Sequence, residues 1–377
     1  MPATPDAAPT PAGWGALLGR QHGPMALALT GGVALHAVNV HIVTTVLPSV
    51  VREIGGLDWY AWNISLFVVA SIIGSGLSVR ALARLGPRGA CLLALALFAA
   101  GSIGCATAGS MPWMLAGRSV QGLGGGGLAA LSYALIRLVF PPALWPRAVA
   151  LVSGMWGVAT LCGPALGGVF AGQGQWRMAF WSLLPVIALQ AVLVVARLGG
   201  RRGGRLAAPV DAGVPSAQIL LLAASVLAAA GGAMLGGLAL QAAGVALGLA
   251  LGAAALRLDA TAPVRLLPRG GAQPLAPLGA LYASVALLLL GTTAEIFVPY
   301  FLQTLQGQTP LLAGYLTAAM AAGWSLGSML SSGRPAALAA PLARLGPLLS
   351  MLGLLALAGF AALAGGLPAA AQAALWG

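Results

Sequence analysis

Residues 89–109 read GACLLALALFAAGSIGCATAG, an uncharged stretch entered directly from Arg80, Arg84 and Arg88. Its length meets the roughly 20 mainly apolar residues that a helix needs to cross the hydrocarbon core of a bilayer. The rest of the chain is built in the same way. Of its 377 residues 59% are hydrophobic and only 6% are charged, where a soluble domain carries about 25% charged residues. A chain so poor in charge cannot cover a water-facing surface. Its exterior must meet lipid, and the fold class is an all-α integral membrane protein.

Further spans follow on either side, at 25–50, 59–80, 112–138, 145–171 and 177–196, making six with 89–109. Beyond a polar break come 216–234 and 237–256, then, after a second break, 276–304, 310–332 and 342–366. The count is eleven. It divides the chain into a cytoplasmic tail (1–22), a six-helix block (23–197), a linker (198–215), an extra helix pair (216–256), a second linker (257–275) and a partial C-terminal block (276–377). Eleven is an awkward number for a protein built from helical repeats. The expectation is a chain short at its C-terminus or an unusual short variant.

Arginine placement tests the count. The chain has no lysine, and its net charge of +12 comes from 18 arginines. With the N-terminus in the cytoplasm and one crossing per span, Arg20, Arg80, Arg84, Arg88, Arg137, Arg147, Arg197, Arg201, Arg202, Arg205, Arg257, Arg265, Arg269, Arg334 and Arg344 fall inside. Arg52 and Arg177 fall outside, and Arg118 lies within a span. One missed helix would invert everything after it, so the positive-inside bias supports the whole topology. The same scatter argues against nucleic acid as a partner. The Pro- and Ala-rich start reads as a tail and not as a signal peptide. Cys91, Cys105 and Cys162 lie in apolar runs and read as small core residues, with no metal or other cofactor implied. Composition hints at a bacterial source.

Arg118 is costly inside hydrocarbon and must find a polar cavity, a carboxylate or backbone carbonyls. It could serve as an anchor between helices or as a charged member of a coupling pathway. The run Gly122 to Gly127 has no following Lys-Ser/Thr, so it reads as a close-packing surface and not as a phosphate loop. In the fifth span Pro164 kinks the helix, and Gly154, Gly157, Gly163, Gly167 and Gly168 give a flat face that can pack or slide.

Here a resemblance enters. Arg118-x-x-Gln121-Gly122 and Gly163-Pro164-x-x-Gly167-Gly168 look like two signature motifs of the major facilitator superfamily, the second associated with its antiporters. Residues Asn39 to Pro48 resemble the first-helix motif of the 14-helix drug:proton antiporters, a branch that inserts two helices between its halves, as at 216–256. Pro299 to Gln303, Gly307, Pro310 and Gly314 are similar to a later helix and loop of that branch. Two departures stand out. Asn39 occupies the place of a usual acid. In the basic turn Arg84, Gly86 and Arg88 persist, but Ala83 replaces the aspartate of the family's cytoplasmic gate.

With those acids absent, Glu295 is the one carboxylate well inside an apolar run. A group that gains and loses a proton as access alternates is what proton coupling requires, so Glu295 is the candidate carrier. A helix-to-helix hydrogen bond or a solvated place near the outer interface is the alternative. His36 and His41 lie five apart and do not share a helix face. Trp59, Trp62, Trp113, Trp145 and Trp176 sit near span ends, as an interfacial belt would, while Trp156 and Trp324 lie deeper.

The resemblance implies two helical bundles rocking about a midplane site, here for proton-coupled export of a small apolar or amphipathic compound by a monomer in the bacterial inner membrane. Coupling would fall to Arg118 and Glu295, cavity polarity to Asn39 and His41, positioning to Gln121. Gly157, Gly163, Pro164, Gly167 and Gly168 would serve the conformational change. A dedicated metabolite exporter and a non-transporting remnant are the alternatives. No nucleophile–base arrangement suggests an enzyme.

Overall fold

Helices account for nearly all of the structure, and their order follows the apolar runs. The computed structural model describes residues 13–198, 213–273, 275–293, 297–304, 306–331 and 338–363. In chain order the helices are α1 (Trp14–Leu18), α2 (Gly23–Ile54), α3 (Trp62–Ala106), α4 (Met111–Val139), α5 (Trp145–Gly172), α6 (Trp176–Trp181), α7 (Leu183–Leu198), α8 (Ser216–Gly232), α9 (Leu238–Thr261), α10 (Pro277–Thr292), α11 (Val298–Thr304), α12 (Pro310–Ser331) and α13 (Ala339–Leu363). No strand occurs among the described residues. Proline opens α2, α4, α5 and α10 at the first or second position, where its missing N–H is one the helix could not have satisfied anyway.

α3 covers 45 residues, which as a straight rod would run about 67 Å, twice the hydrocarbon thickness. It is instead two antiparallel limbs. Phe67, Ser71 and Gly74 meet Gly122, Gly126 and Gly127 of α4 in rising order, whereas Cys105, Gly101, Phe98 and Ala94 meet Gly117, Gln121, Gly124 and Gly127 in falling order. The chain turns back at Gly86, whose φ of 69° and ψ of 178° suit glycine alone, with Pro87 behind it. The two spans read at 59–80 and 89–109 are these limbs.

α4 is the hub of the first block. A side chain at Gly122 would meet the Phe67 carbonyl at 2.5 Å, one at Gly124 the Phe98 nitrogen at 2.4 Å, and one at Gly126 the Ser71 carbonyl at 2.1 Å. Successive glycines thus admit the two α3 limbs on different faces, and Gly125 admits His36 of α2. Without a hydrophobic drive between helices in lipid, this backbone approach supplies the packing. Ser71 and Ser75 hydroxyls donate to the Gly122 and Gly126 carbonyls at 3.2 and 2.9 Å. Gly126→Val should therefore cost more than the ~1–3 kcal/mol of ordinary overpacking, because backbone must move. A detergent melt of the purified variant at the wild-type temperature would refute the expectation.

The α8–α9 hairpin is equally close-packed. Gly232 and Gly244 abut backbone to backbone, and Gly248 lies under Ser225, whose hydroxyl donates to the Gly248 carbonyl at 2.7 Å. Ile219 of α8 fits against Gly76 on the first limb of α3. At the end of α9 the buried Asp259 accepts the Leu266 and Leu267 N–H groups at 2.5 and 3.0 Å. The outward faces are apolar, with Leu249 71% exposed, as a bilayer solvent demands.

Two expectations need correction. Trp176 is not in an interfacial belt: it is 1% exposed, packs edge-on to Phe180 and donates to Glu53. Cys162 is exposed on α5, while Cys91 and Cys105 are buried.

Candidate functional site

Burying a guanidinium in lipid demands acceptors, and the first block supplies them from its own backbone and amides. Arg118 is 2% exposed. Its Nε donates to the Asn63 carbonyl at 3.2 Å, one terminal nitrogen donates to Gln121 Oε1 at 2.5 Å, and its carbon lies 4.0 Å from the Phe67 ring centroid. Gln121 passes the chain on, donating to Ser102 Oγ at 2.8 Å, and Ser102 donates to the Phe98 carbonyl at 2.8 Å. On the other side His36 stacks on Phe67 at 5.4 Å and meets Trp156 edge-on at 6.0 Å. One connected cluster thus joins α2, both limbs of α3, α4 and α5.

No carboxylate partners Arg118 among the described residues. The ion pair found there is Arg177 with Glu53, at 2.5 Å; Arg177 also donates to the Ala108 carbonyl and lies over Trp176. That cluster ties the ends of α2, α3 and α6 together and neutralises one of the two arginines assigned to the outer side.

The other sequence candidates on α2 are buried but unsatisfied. Asn39 is fully buried with neither side-chain atom partnered; His41 Nε2 and His36 Nδ1 are likewise buried without partners. His41 backs onto Gly163 of α5 while His36 faces α4 at Gly125, so the two histidines do point to different neighbours.

The glycine–proline motif of α5 forms a three-helix junction. Gly163 admits His41, and Gly167 admits Ile42 and Thr45 of α2. Gly168 faces Leu311 of α12, and Pro164 faces Gly314. Gln303 of α11 donates to the Thr45 carbonyl at 3.1 Å. Gly157 lies two turns earlier on α5 and is half-buried. On the α5 side this junction is glycine backbone, against which His41, Thr45 and Leu311 pack, while Tyr60 of the first block meets Phe297 and Tyr300. Gly168→Leu would place Cβ 2.5 Å from the Leu311 Cα. Transport should fall at least tenfold in protein that still elutes as wild type, measured as substrate flux in proteoliposomes.

Arg84 and Arg88 are exposed around Gly86, with no ion pair among the described residues, as expected where Ala83 stands for an acid. Glu295 and the side chain of Trp324 lie outside the described residues. Sequence reasoning missed Asn63, Phe67 and Ser102, which have no motif of their own, and gave Thr45 no role within the first-helix motif. Gly314 was noted only as part of a loop.

Comparison with known proteins places this geometry. The profile described as Major Facilitator Superfamily matches residues 29–377. A Mycobacterium tuberculosis (strain H37Rv) protein named "Probable multidrug-efflux transporter" is 39% identical over 322 residues, covering 85% of this chain and 68% of the relative. An "MFS-type efflux pump" of Fusarium sp is 31% identical over 176 residues, 46% of this chain and 31% of its own. A proton:xylose symporter structure with 6-bromo-6-deoxy-D-glucose bound aligns with a TM-score of 0.50 at 14% identity, over 81% of this chain and 67% of that one; it speaks to the fold alone.

Proposed function

The chain belongs to the major facilitator superfamily, and from that premise we propose that it is a secondary transporter that exports small apolar or amphipathic compounds, driven by protons. The observation that carries the reading is the junction at Gly163, Pro164, Gly167 and Gly168, where a face of α5 with little side chain meets α2 and α12. A surface of that kind lets two bundles shift without repacking large side chains, as rocking about a midplane site requires. The efflux direction is supported by the 39% identical relative and its name.

Placement within the 14-helix drug:proton antiporter branch is part of the proposal, supported by the α8–α9 hairpin after the first block. The cytoplasmic N-terminus rests on the arginine distribution, and the site is that of a monomer in the plasma membrane. Asn39 and His41 give the pathway its polarity, Arg118 and Gln121 hold its wall, and Arg84, Gly86 and Arg88 form the cytoplasmic turn. Inside-out vesicles carrying the chain should accumulate a fluorescent amphipathic dye when the lumen is made acidic. Accumulation that survives collapse of the gradient, or that matches empty vesicles, would refute proton-driven efflux.

A further inference from the structure

His36 lies sixteen residues from Arg20 and sixteen from Arg52, the basic residues that flank α2 at its two ends. At 1.5 Å per residue it sits about 24 Å from each, in the middle of the membrane. The ring is half-buried. Its Nδ1 is enclosed against Gly125, where an added Cβ would lie 2.7 Å from it, and has no hydrogen-bond partner. The Nε2 edge is the one not enclosed in this way. A polar edge exposed at that depth faces a pathway and not lipid. Trp156, touching the same ring edge-on, is 37% exposed. A partly exposed indole beside a half-buried imidazole, at that depth, can serve as a recognition surface.

The electrostatics narrow what it takes. Phe67 carries His36 on its ring and the Arg118 guanidinium 4.0 Å from its centroid. The described acids lie elsewhere: Glu53 is paired with Arg177 at the outer end, Asp58 is in the loop after α2, and Asp259 is spent on two backbone N–H groups at the end of α9. At the subsite itself the nearest described fixed charge is the Arg118 guanidinium on Phe67, which favours a neutral or anionic group there over a cationic one. We propose that His36 and Trp156 form the aromatic subsite of the transport pathway and that its cargo is planar, aromatic and neutral or anionic, with a polar group that hydrogen-bonds the imidazole edge. The inference rests on the efflux reading and names its substrate class.

The test uses the purified full chain in detergent and two xanthene dyes of similar size and opposite charge, fluorescein and rhodamine 6G, with binding read by fluorescence polarisation. Fluorescein should bind at least tenfold more tightly than rhodamine 6G. Trp156→Ala should weaken fluorescein at least tenfold, Trp156→Phe should stay within about threefold of wild type, and His36→Gln should cost about fivefold. Trp113→Ala, which removes an indole 57% exposed on α4 away from this cluster, should change nothing. Should Trp156→Ala melt early, Trp156→Leu keeps apolar bulk without the π face and carries the same expectation. Tighter binding of rhodamine 6G, no binding of either dye, or full affinity in a well-folded variant lacking the indole would overturn the proposal. Proton-driven flux that ignores both side chains would sink this subsite and leave efflux standing, whereas dye binding without any flux would do the reverse.

Discussion

Arg118→Ala should abolish transport and lower the yield of folded protein, while Arg118→Lys should fold and still lose at least tenfold in flux. The alanine variant strips donors from the Asn63 carbonyl and from Gln121 Oε1, both buried. Hydrogen bonds to a charged group are worth ~1.5–3 kcal/mol each, so losing two costs on the order of 3–6 kcal/mol, a large part of a membrane helix bundle's margin. Lysine keeps the charge but not the planar fork: it cannot donate in two fixed directions at once, nor lie flat on Phe67. The pair of variants separates the two roles open to Arg118. If the lysine protein transports at the wild-type rate, the arginine is only an anchor between helices. If it is stable to within a few degrees in a detergent melt yet slow in proteoliposomes, the geometry of the guanidinium serves the transport cycle. Gln121→Leu should behave similarly but more mildly, since Ser102 can still bond the Phe98 carbonyl.

Much of this architecture is legible in the sequence because lipid leaves few choices. Apolar runs of about 20 residues must be helices, and the arginines sort their ends. The limbs of α3 are readable from Arg80, Arg84 and Arg88 together with Gly86-Pro87, where the structure has its kink. The glycine runs of α4 and α5 announced close packing, and the structure adds which face meets which helix. Partner choice is where the sequence is silent. Nothing about Asn63 marks its carbonyl as an arginine's acceptor, because any residue offers the same carbonyl. Trp176 sits at a span end, where interfacial indoles belong, yet it is buried against Phe180 with its N–H donating to Glu53, 123 residues away, at 2.6 Å. His36 carried no motif, and its place beside Trp156 depends on how α2 and α5 are rotated, which periodicity alone does not fix.

Glu295→Gln should eliminate proton-driven flux while leaving energy-independent counterflow intact. The argument is by the engagements of the other acids. The sequence has six. Asp6 and Asp211 lie in polar segments outside the apolar runs. Glu53 is held by Arg177 and Trp176 at the outer end, and Asp58 lies in the loop between α2 and α3. Asp259 spends both oxygens on backbone donors that fasten the segment after α9, so protonating it would loosen a structural tie and move no proton across the membrane. Asn39 stands where the family's acid would be and cannot exchange a proton. By elimination Glu295, within the apolar stretch between α10 and α11, is the carboxylate left to load and release one. Glutamine preserves its size and its hydrogen-bonding reach but not its exchange of charge, so the bundles should still rock around bound cargo. Counterflow of a labelled substrate reports that motion without any gradient, and an imposed pH gradient reports the coupling. Loss of both would mean that Glu295 holds helices together; retention of both would place proton transfer on another group, with His36 and His41 the remaining ionisable side chains of α2 at that depth.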